Sequence, residues 1–231
     1  MEKKYELVSK IIEELHNSGA LHKLVLVGSW CTHYYKNLFE HGDKFIPLLR
    51  TMDIDFMIPT PHRINKKVNV HDLLIQMEFR PEFHTLSGLV KYRHPELEIE
   101  FLTPEMGRGD KKVYEIKPFG INAVGLRYLN LLQNNIIEVS HSNDIKIYIP
   151  SPEAFALHKF MISQLRKNDV KAGKDINMAK AIGELCMNSG VRKENIIRIF
   201  SSLPKKWQTK ILDSVKDVSD NLHKCLFEYR K

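Results

Sequence analysis

MDIDFMI (52–58) is the stretch on which the fold turns. It is a short apolar run broken by two aspartates, and Pro59 and Pro61 stop it, as expected of a strand. Strand side chains alternate, so Asp53 and Asp55 share one face while Ile54 and Phe56 share the other. Aspartate is disfavoured inside strands. Two carboxylates at this range repel and raise each other's pKa. A divalent cation held between them removes the conflict. The competing explanation is an exposed strand edge with solvated acids, against which the apolar flanks speak.

Upstream, KLVLV (23–27) is long enough for a buried strand and too short for a helix, and Gly28-Ser29 ends it. WCTHYYKNLF (30–39) reads as the helix that follows. A glycine at such a turn lets a phosphate approach the backbone, and the serine hydroxyl and free amides can bind its oxygens. Arg50 and Thr51, just before the aspartate pair, contact a triphosphate or simply end a loop. Residues 63–77 read as helical. Downstream, residues 83–102 read as a hairpin, with one strand near FHTLSGLVKYRH and the other ELEIEFL (96–102). Glu98 and Glu100 share a face of this second acidic strand, and either could complete a three-carboxylate cluster. Glu100, next to Phe101 and Leu102, is preferred. Such a cluster suits two Mg²⁺ ions about 4 Å apart in a phosphoryl transfer.

The rest of the chain divides near residue 150. Residues 3–18 read as an amphipathic helix closed by Gly19, and 113–150 as further short strands. From SPEAFALHKFMISQLRK (151–167) onward the sequence reads as helices over about 151–168, 174–188, 192–201 and 204–229, the first capped by Ser151 with Pro152 in its first turn. The expectation is an α/β (α+β) domain over 1–150, a mixed sheet with flanking helices, followed by an all-α helical bundle over 151–231. His141 and Ser142 fall in a polar loop and read as solvated; Trp30 and Trp207 read as core.

Charge follows the same division. The formal net charge is +7 over 231 residues. Residues 1–150 hold 19 basic and 19 acidic side chains, and residues 151–231 hold 16 and 9, so the excess lies in the last third. Arg192, Lys193 and Arg198, with Lys205, Lys206 and Lys210, crowd two of its helices. Such a surface suits a phosphate-rich partner such as RNA or a nucleotide; equally it is a solvated lysine-rich surface. Three scattered cysteines, Cys31, Cys186 and Cys225, offer neither metal-ligand spacing nor a disulfide framework, so a cytoplasmic location is expected. No apolar run approaches the roughly 20 residues of a membrane span, and the N-terminus lacks a signal-peptide block.

A strand ending in Gly28-Ser29 and opening a helix, then Asp53-x-Asp55 on a strand, then a later acidic strand with Glu100, resembles the signature of the nucleotidyltransferase superfamily. This is the fold of DNA polymerase beta, poly(A) polymerases and aminoglycoside nucleotidyltransferases. The stretch between Ser29 and Asp53 is longer than the usual loop of that superfamily. Lys159, Arg166 seven positions later, and the Lys174-Asp175 pair, which reads as opening the next helix, look like AbiEii-type members, the toxin-like enzymes of abortive-infection toxin–antitoxin systems. On the residues alone, the same segment reads as an amphipathic helix with a charged outer face.

The resemblance implies NMP transfer from an NTP to an acceptor hydroxyl, with Mg²⁺ or Mn²⁺ as cofactor and pyrophosphate as the leaving group. Asp53, Asp55 and Glu100 would ligate the metals, and Glu100 would also help to deprotonate the acceptor. Gly28, Ser29, Arg50, Thr51, Lys159, Arg166 and Lys174 would bind the nucleotide, and Asp175 would join the catalytic set. The acceptor is expected to be RNA, in particular a tRNA 3′ end, with a protein side chain or a small molecule as the other candidates. An antitoxin protein is a candidate partner; a membrane is not. The reading of another class is a catalytically idle member that only binds nucleotide or a partner.

Overall fold

The computed structural model describes residues 2–40, 42–46, 51–65, 67–84, 88–107, 112–142 and 144–230. The chain forms two compact units. One comprises Met1–Tyr34 and Leu49–Pro150, the other Tyr35–Leu48 and Ser151–Lys231.

The first unit is a mixed sheet of nine strands among the described residues, with flanking helices. Helix α1 (Glu2–Ser18) buries Val8, Ile11, Ile12 and Leu15, the spacing of one helical face. Gly19 at φ +80° ends it, and the Ala20 amide returns to the Leu15 carbonyl. After a single 3₁₀ turn the chain enters β1 (Val25–Val27), then the 3₁₀ turn Gly28–Trp30 and α2 (Cys31–Tyr35). The expected helix over 30–39 is thus one α turn between two 3₁₀ turns, the second being Lys36–Leu38. The short helix α3 (Gly42–Phe45) belongs to the second unit. The first unit resumes with strand β2 (Asp53–Met57) and helix α4 (Val70–Gln76).

Helix α4 is shorter than the expected 63–77. Asn69 caps it through its side chain, which accepts from the Asp72 amide. The expected hairpin is three strands: β3 (Arg80–His84), β4 (Leu89–Arg93) and β5 (Glu98–Pro104). Gly88 at φ +70° lies between the first two, so the run read as one strand reverses on itself. Strands β6 (Val113–Ile116) and β7 (Ile121–Leu126), helix α5 (Leu129–Gln133), and strands β8 (Ile136–Ser140) and β9 (Lys146–Pro150) complete the unit.

The sheet order is β3-β4-β5-β2-β1-β9-β8, with β7 pairing both β5 and β6. Pairs β2–β5, β1–β9 and β5–β7 are parallel, and the others antiparallel. One face of the central strands is core: Ile54, Phe56, Tyr92, Ile99 and Phe101 are buried. Phe56 stacks on Phe101 with ring centroids 6.1 Å apart, an offset arrangement that aromatic pairs favour.

The second unit is built on α6 (Pro152–Ser163). The Ser151 hydroxyl accepts from the Ala154 amide at 3.3 Å, and Pro152 occupies the first turn. Nearly every residue of α6 is buried, so it is the central helix of its unit and not an amphipathic one with a charged outer face. Around it lie α7 (Asp169–Met187), α8 (Gly190–Ser202), α9 (Lys205–Val215) and α10 (Asp220–Glu228). Helix α7 begins earlier than the sequence suggests. The Asn168 side chain accepts from the Lys171 amide and caps it, so Lys174 and Asp175 lie within the helix and do not open it. The single helix expected over 204–229 is two, because Ser219 takes an extended conformation (φ −153°, ψ 99°) before α10. Among the described residues no helix is long and apolar enough to cross a membrane.

Candidate active site

The sheet order brings the polar strand segments side by side. Val27, the residue before Gly28, pairs with Asp55. Asp53 and Asp55 pair in parallel register with Glu98 and Glu100. Arg93 pairs with Glu98, and Lys91, two residues earlier on β4, lies on the same face. Glu82 of β3 pairs with Lys91. By alternation these charged side chains stand on the face opposite Phe56 and Phe101. Asp53 is exposed; Asp55, Glu98 and Glu100 are half-buried.

Gly28 has φ +73°, and a β-carbon there would lie 2.5 Å from Asp55 Oδ2. The carboxylate of Asp55 therefore packs directly against the turn that follows β1. Thr51 sits at the other end of the pair: its hydroxyl accepts from the Asp53 amide at 3.2 Å, and its carbonyl accepts from Lys4 Nζ at 3.5 Å. The start of β5 is tied to the same point, the Glu98 amide donating to the Met52 carbonyl at 2.7 Å. Arg50 lies outside the described residues.

The two glutamates have cationic partners on β4. Lys91 Nζ is 3.3 Å from Glu100 Oε2 and 4.0 Å from Glu98 Oε2. Arg93 Nε is 3.0 Å from Glu98 Oε1 and 2.8 Å from Glu82 Oε2. Burial pulls the Lys91 pKa down, but Glu100, then Glu98 and Asp53, outweigh it and raise the pKa on balance. Lys91 is the residue that sequence reasoning missed. Its signal was a Lys-x-Arg strand beside a Glu-x-Glu strand, the cross-strand charge pairing of adjacent antiparallel strands. Among the described residues no group of three or more His, Cys, Asp or Glu is gathered closely enough to hold a metal ion.

A sequence model of a nucleotidyltransferase family matches residues 6–193. The chain belongs to that family. Its fold is similar to that of an antigenic nucleotidyltransferase-like protein from Paracoccidioides brasiliensis, with a TM-score of 0.51 at 17% identity, covering 98% of this chain and 93% of the other. A tRNA nucleotidyltransferase crystallised with a primer tRNA and an incoming ATP analogue aligns at a TM-score of 0.25 and 11% identity, over 95% of this chain and 59% of that one, too remote a likeness to bear on function. No curated protein matches the sequence.

In the helical unit of this nucleotidyltransferase, three of the four sequence-selected residues meet. Lys159 Nζ donates to Asp175 Oδ1 at 2.6 Å, and Arg166 Nε donates to Oδ2 at 2.8 Å. Lys159 and Asp175 are buried, whereas Arg166 and Lys174 are not. Burial alone would raise the Asp175 pKa, but Lys159 and Arg166 hold it below the usual carboxylate range. Beside them His158 is buried, and burial lowers its pKa to about 3, so it is neutral at ordinary pH. Lys159 Nζ also lies 5.6 Å from the centroid of the Phe155 ring, within cation–π range.

Two expectations are corrected. Arg192 is not one of a row of solvated cations: it is 3.1 Å from the buried Glu153 carboxylate and 4.7 Å from the centroid of the Phe39 ring. His141 is not solvated either. Its Nε2 lies 3.0 Å from Ser9 Oγ and its Nδ1 2.8 Å from Tyr34 Oη, which fastens its loop to α1 and α2.

Proposed function

We propose that the polar face of β2 and β5 is a metal-dependent nucleotidyl-transfer site that moves NMP from an NTP to an acceptor hydroxyl. The observation that carries this is the register: Asp53 and Asp55 run parallel to Glu98 and Glu100, with the Gly28-Ser29 turn packed against Asp55. The donors are all carboxylate oxygens, the chemistry that hard Mg²⁺ or Mn²⁺ ions require, but they are not gathered about one point: Glu100 is paired with Lys91 on β4. Asp53 and Asp55 would hold the cation, and Glu100 would be the third carboxylate. When bound, the ion supplies charge neutralisation at the phosphates and acidifies the acceptor hydroxyl.

The chain's own groups do the rest. Gly28, having no side chain, leaves room for the Asp55 carboxylate beside the turn, and the Gly28-Ser29 turn would offer its backbone and the Ser29 hydroxyl to the phosphate oxygens. Thr51, turned onto the Asp53 amide, fixes where the aspartate strand begins. The acceptor oxygen forms a bond to the α-phosphorus in line with the departing bridging oxygen, and pyrophosphate leaves. A Glu100 oxygen receives the acceptor's proton. Arg50 would add a further cation toward the triphosphate.

In the helical unit, Lys159, Arg166, Lys174 and Asp175 belong to the proposal as its AbiEii-type part. Asp175 anchors Lys159 and Arg166 together, which supports their working as one group toward nucleotide phosphates. The division into a nucleotidyltransferase domain over 1–150 and a helical bundle over 151–231 goes with it. The positive excess of the last third favours RNA, in particular a tRNA 3′ end, as acceptor. A toxin role with an antitoxin partner extends the same resemblance. All three cysteines are buried and none is in a disulfide, in keeping with a cytoplasmic protein. One observation favours a second reading, a member that binds nucleotide or a partner without catalysis: both glutamates are already engaged by β4 cations.

The experiment is to incubate the protein with each α-³²P-labelled NTP, Mg²⁺, and either total RNA or a cell lysate. Label in the RNA fraction supports the favoured acceptor, and label in protein redirects it. Retention of nucleotide without transfer to any fraction supports the second reading.

A further inference from the structure

We propose that Lys91 is a positioning residue that competes with the divalent cation for Glu100, and so sets how tightly that cation is held. The inference rests on the metal-dependent reading above and goes beyond it by assigning a role to a residue outside the nucleotidyltransferase signature.

The ground for it is position in the sheet. Strand β5 lies between β2, with its aspartates, and β4, with its cations. Each β5 glutamate can therefore lean to either side. Glu98 has a cation of its own, Arg93, at 3.0 Å, and that guanidinium is also bonded to Glu82. Glu100 is paired with Lys91 at 3.3 Å. While Oε2 is held by Lys91, only the other oxygen of Glu100 is left for a cation beside Asp55, so the ammonium and the cation draw on one carboxylate.

The two β4 cations differ in how readily they give way. Arg93 is a planar fork set between two carboxylates, whereas Lys91 is a point charge on a flexible stem. The Lys91 side chain is 34% exposed, so the ammonium has water to move into. An ammonium at this place also repels an incoming divalent ion directly. Lys91 thus serves two ends. It neutralises the acidic face in the absence of metal, and it weakens metal binding until the pair separates. A lysine acting only as a strand clamp would do the first and leave metal affinity alone.

The test is Mn²⁺ binding to the full-length protein without nucleotide, read by electron paramagnetic resonance of free Mn²⁺. Parent, Lys91→Gln, Lys91→Arg and Lys91→Gln/Glu100→Gln proteins are compared. Lys91→Gln is expected to bind Mn²⁺ about tenfold more tightly, the effect of removing one unit charge a few ångströms away in a water-like dielectric. Lys91→Arg, which keeps the charge on a less yielding fork, should bind no more tightly than the parent, and the double variant should lose the gain. Melting temperatures provide a second readout: Lys91→Gln should melt lower than the parent without metal and gain more from Mn²⁺. Unchanged or weaker Mn²⁺ affinity in Lys91→Gln overturns the inference, and if Asp53→Asn/Asp55→Asn still abolishes parental Mn²⁺ binding, the reading of the site survives. Absence of Mn²⁺ binding in every protein overturns the inference, and if Mn²⁺ together with NTP also gives no thermal shift in the parent, it overturns the reading of the site.

Discussion

Asp55 and Gly28 are in direct steric register: the carboxylate occupies the space a β-carbon at Gly28 would need, 2.5 Å from Oδ2. With any larger residue there, the Asp55 carboxylate would have to move. The positive φ of +73° at this position asks for the same residue independently.

Gly28→Ala should accordingly cost about 1–3 kcal/mol of stability from backbone strain, with the Asp55 contact adding to it. It should also displace Asp55 and weaken Mn²⁺ binding. Chemical denaturation and Mn²⁺ titration check the two effects. A variant as stable as the parent would mean the turn relaxes at no cost and that Asp55 is not held by it.

Glu98 and Glu100 should separate on substitution. Glu98 is paired with the exposed Arg93, which also holds the exposed Glu82, so Glu98→Gln should cost no more than about 1 kcal/mol of stability and leave transfer largely intact. Glu100→Gln should abolish transfer, a loss on the order of several kcal/mol of transition-state stabilisation if a metal ligand is removed. Steady-state rates of both variants decide the matter, and the reverse ranking would move the third carboxylate two residues along β5.

Asp175 should impose a pH dependence on the helical unit. Burial raises its pKa, but Lys159 and Arg166 outweigh that and leave the folded value depressed. Its contribution is therefore complete above the unfolded carboxylate's range and is lost as pH falls through the folded value. Asp175→Asn leaves Lys159 buried without its carboxylate and should cost about 3–5 kcal/mol near neutrality. Denaturation from neutral into acid pH should show the gap between parent and variant narrowing. A gap that stays constant would count against the ion group.

The basic helices give a test of the acceptor. Lys205 and Lys206 are exposed and Lys210 half-buried, and α9 carries all three. Replacing them with Gln should flatten the salt dependence of tRNA binding, since each neutralised phosphate releases roughly one counterion. Filter binding from low to physiological salt reads this out. Equal slopes for parent and triple variant would return these lysines to an ordinary solvated surface.

Much of the architecture is legible in the sequence where one period dominates. The alternation in MDIDFMI and ELEIEFL places two acidic strands, and the structure pairs them in parallel. The Ser151-Pro152 start of the helical run is equally plain. What escapes is set by competing local signals. Gly88 splits an apparent single strand, because a turn residue inside an alternating run leaves the alternation intact on either side. Asn168 starts α7 early, a polar cap in a lysine-rich stretch where apolar spacing says little. Val215, Val218 and Leu222 keep their 3-4 spacing across the break at Ser219, so periodicity alone cannot see it. The partners of Glu98 and Glu100 depend on which strand lies on the far side of β5, which is a property of sheet order and not of either strand.

The measurement closest to the central claim is the thermal shift produced by Mn²⁺ together with NTP, in the parent and in Asp53→Asn/Asp55→Asn. A ligand that binds only the native state raises the melting temperature as its occupancy rises. The account predicts a clear upward shift in the parent, and a folded double variant that shows none and transfers no label. A double variant with the parental metal-dependent shift would contradict it.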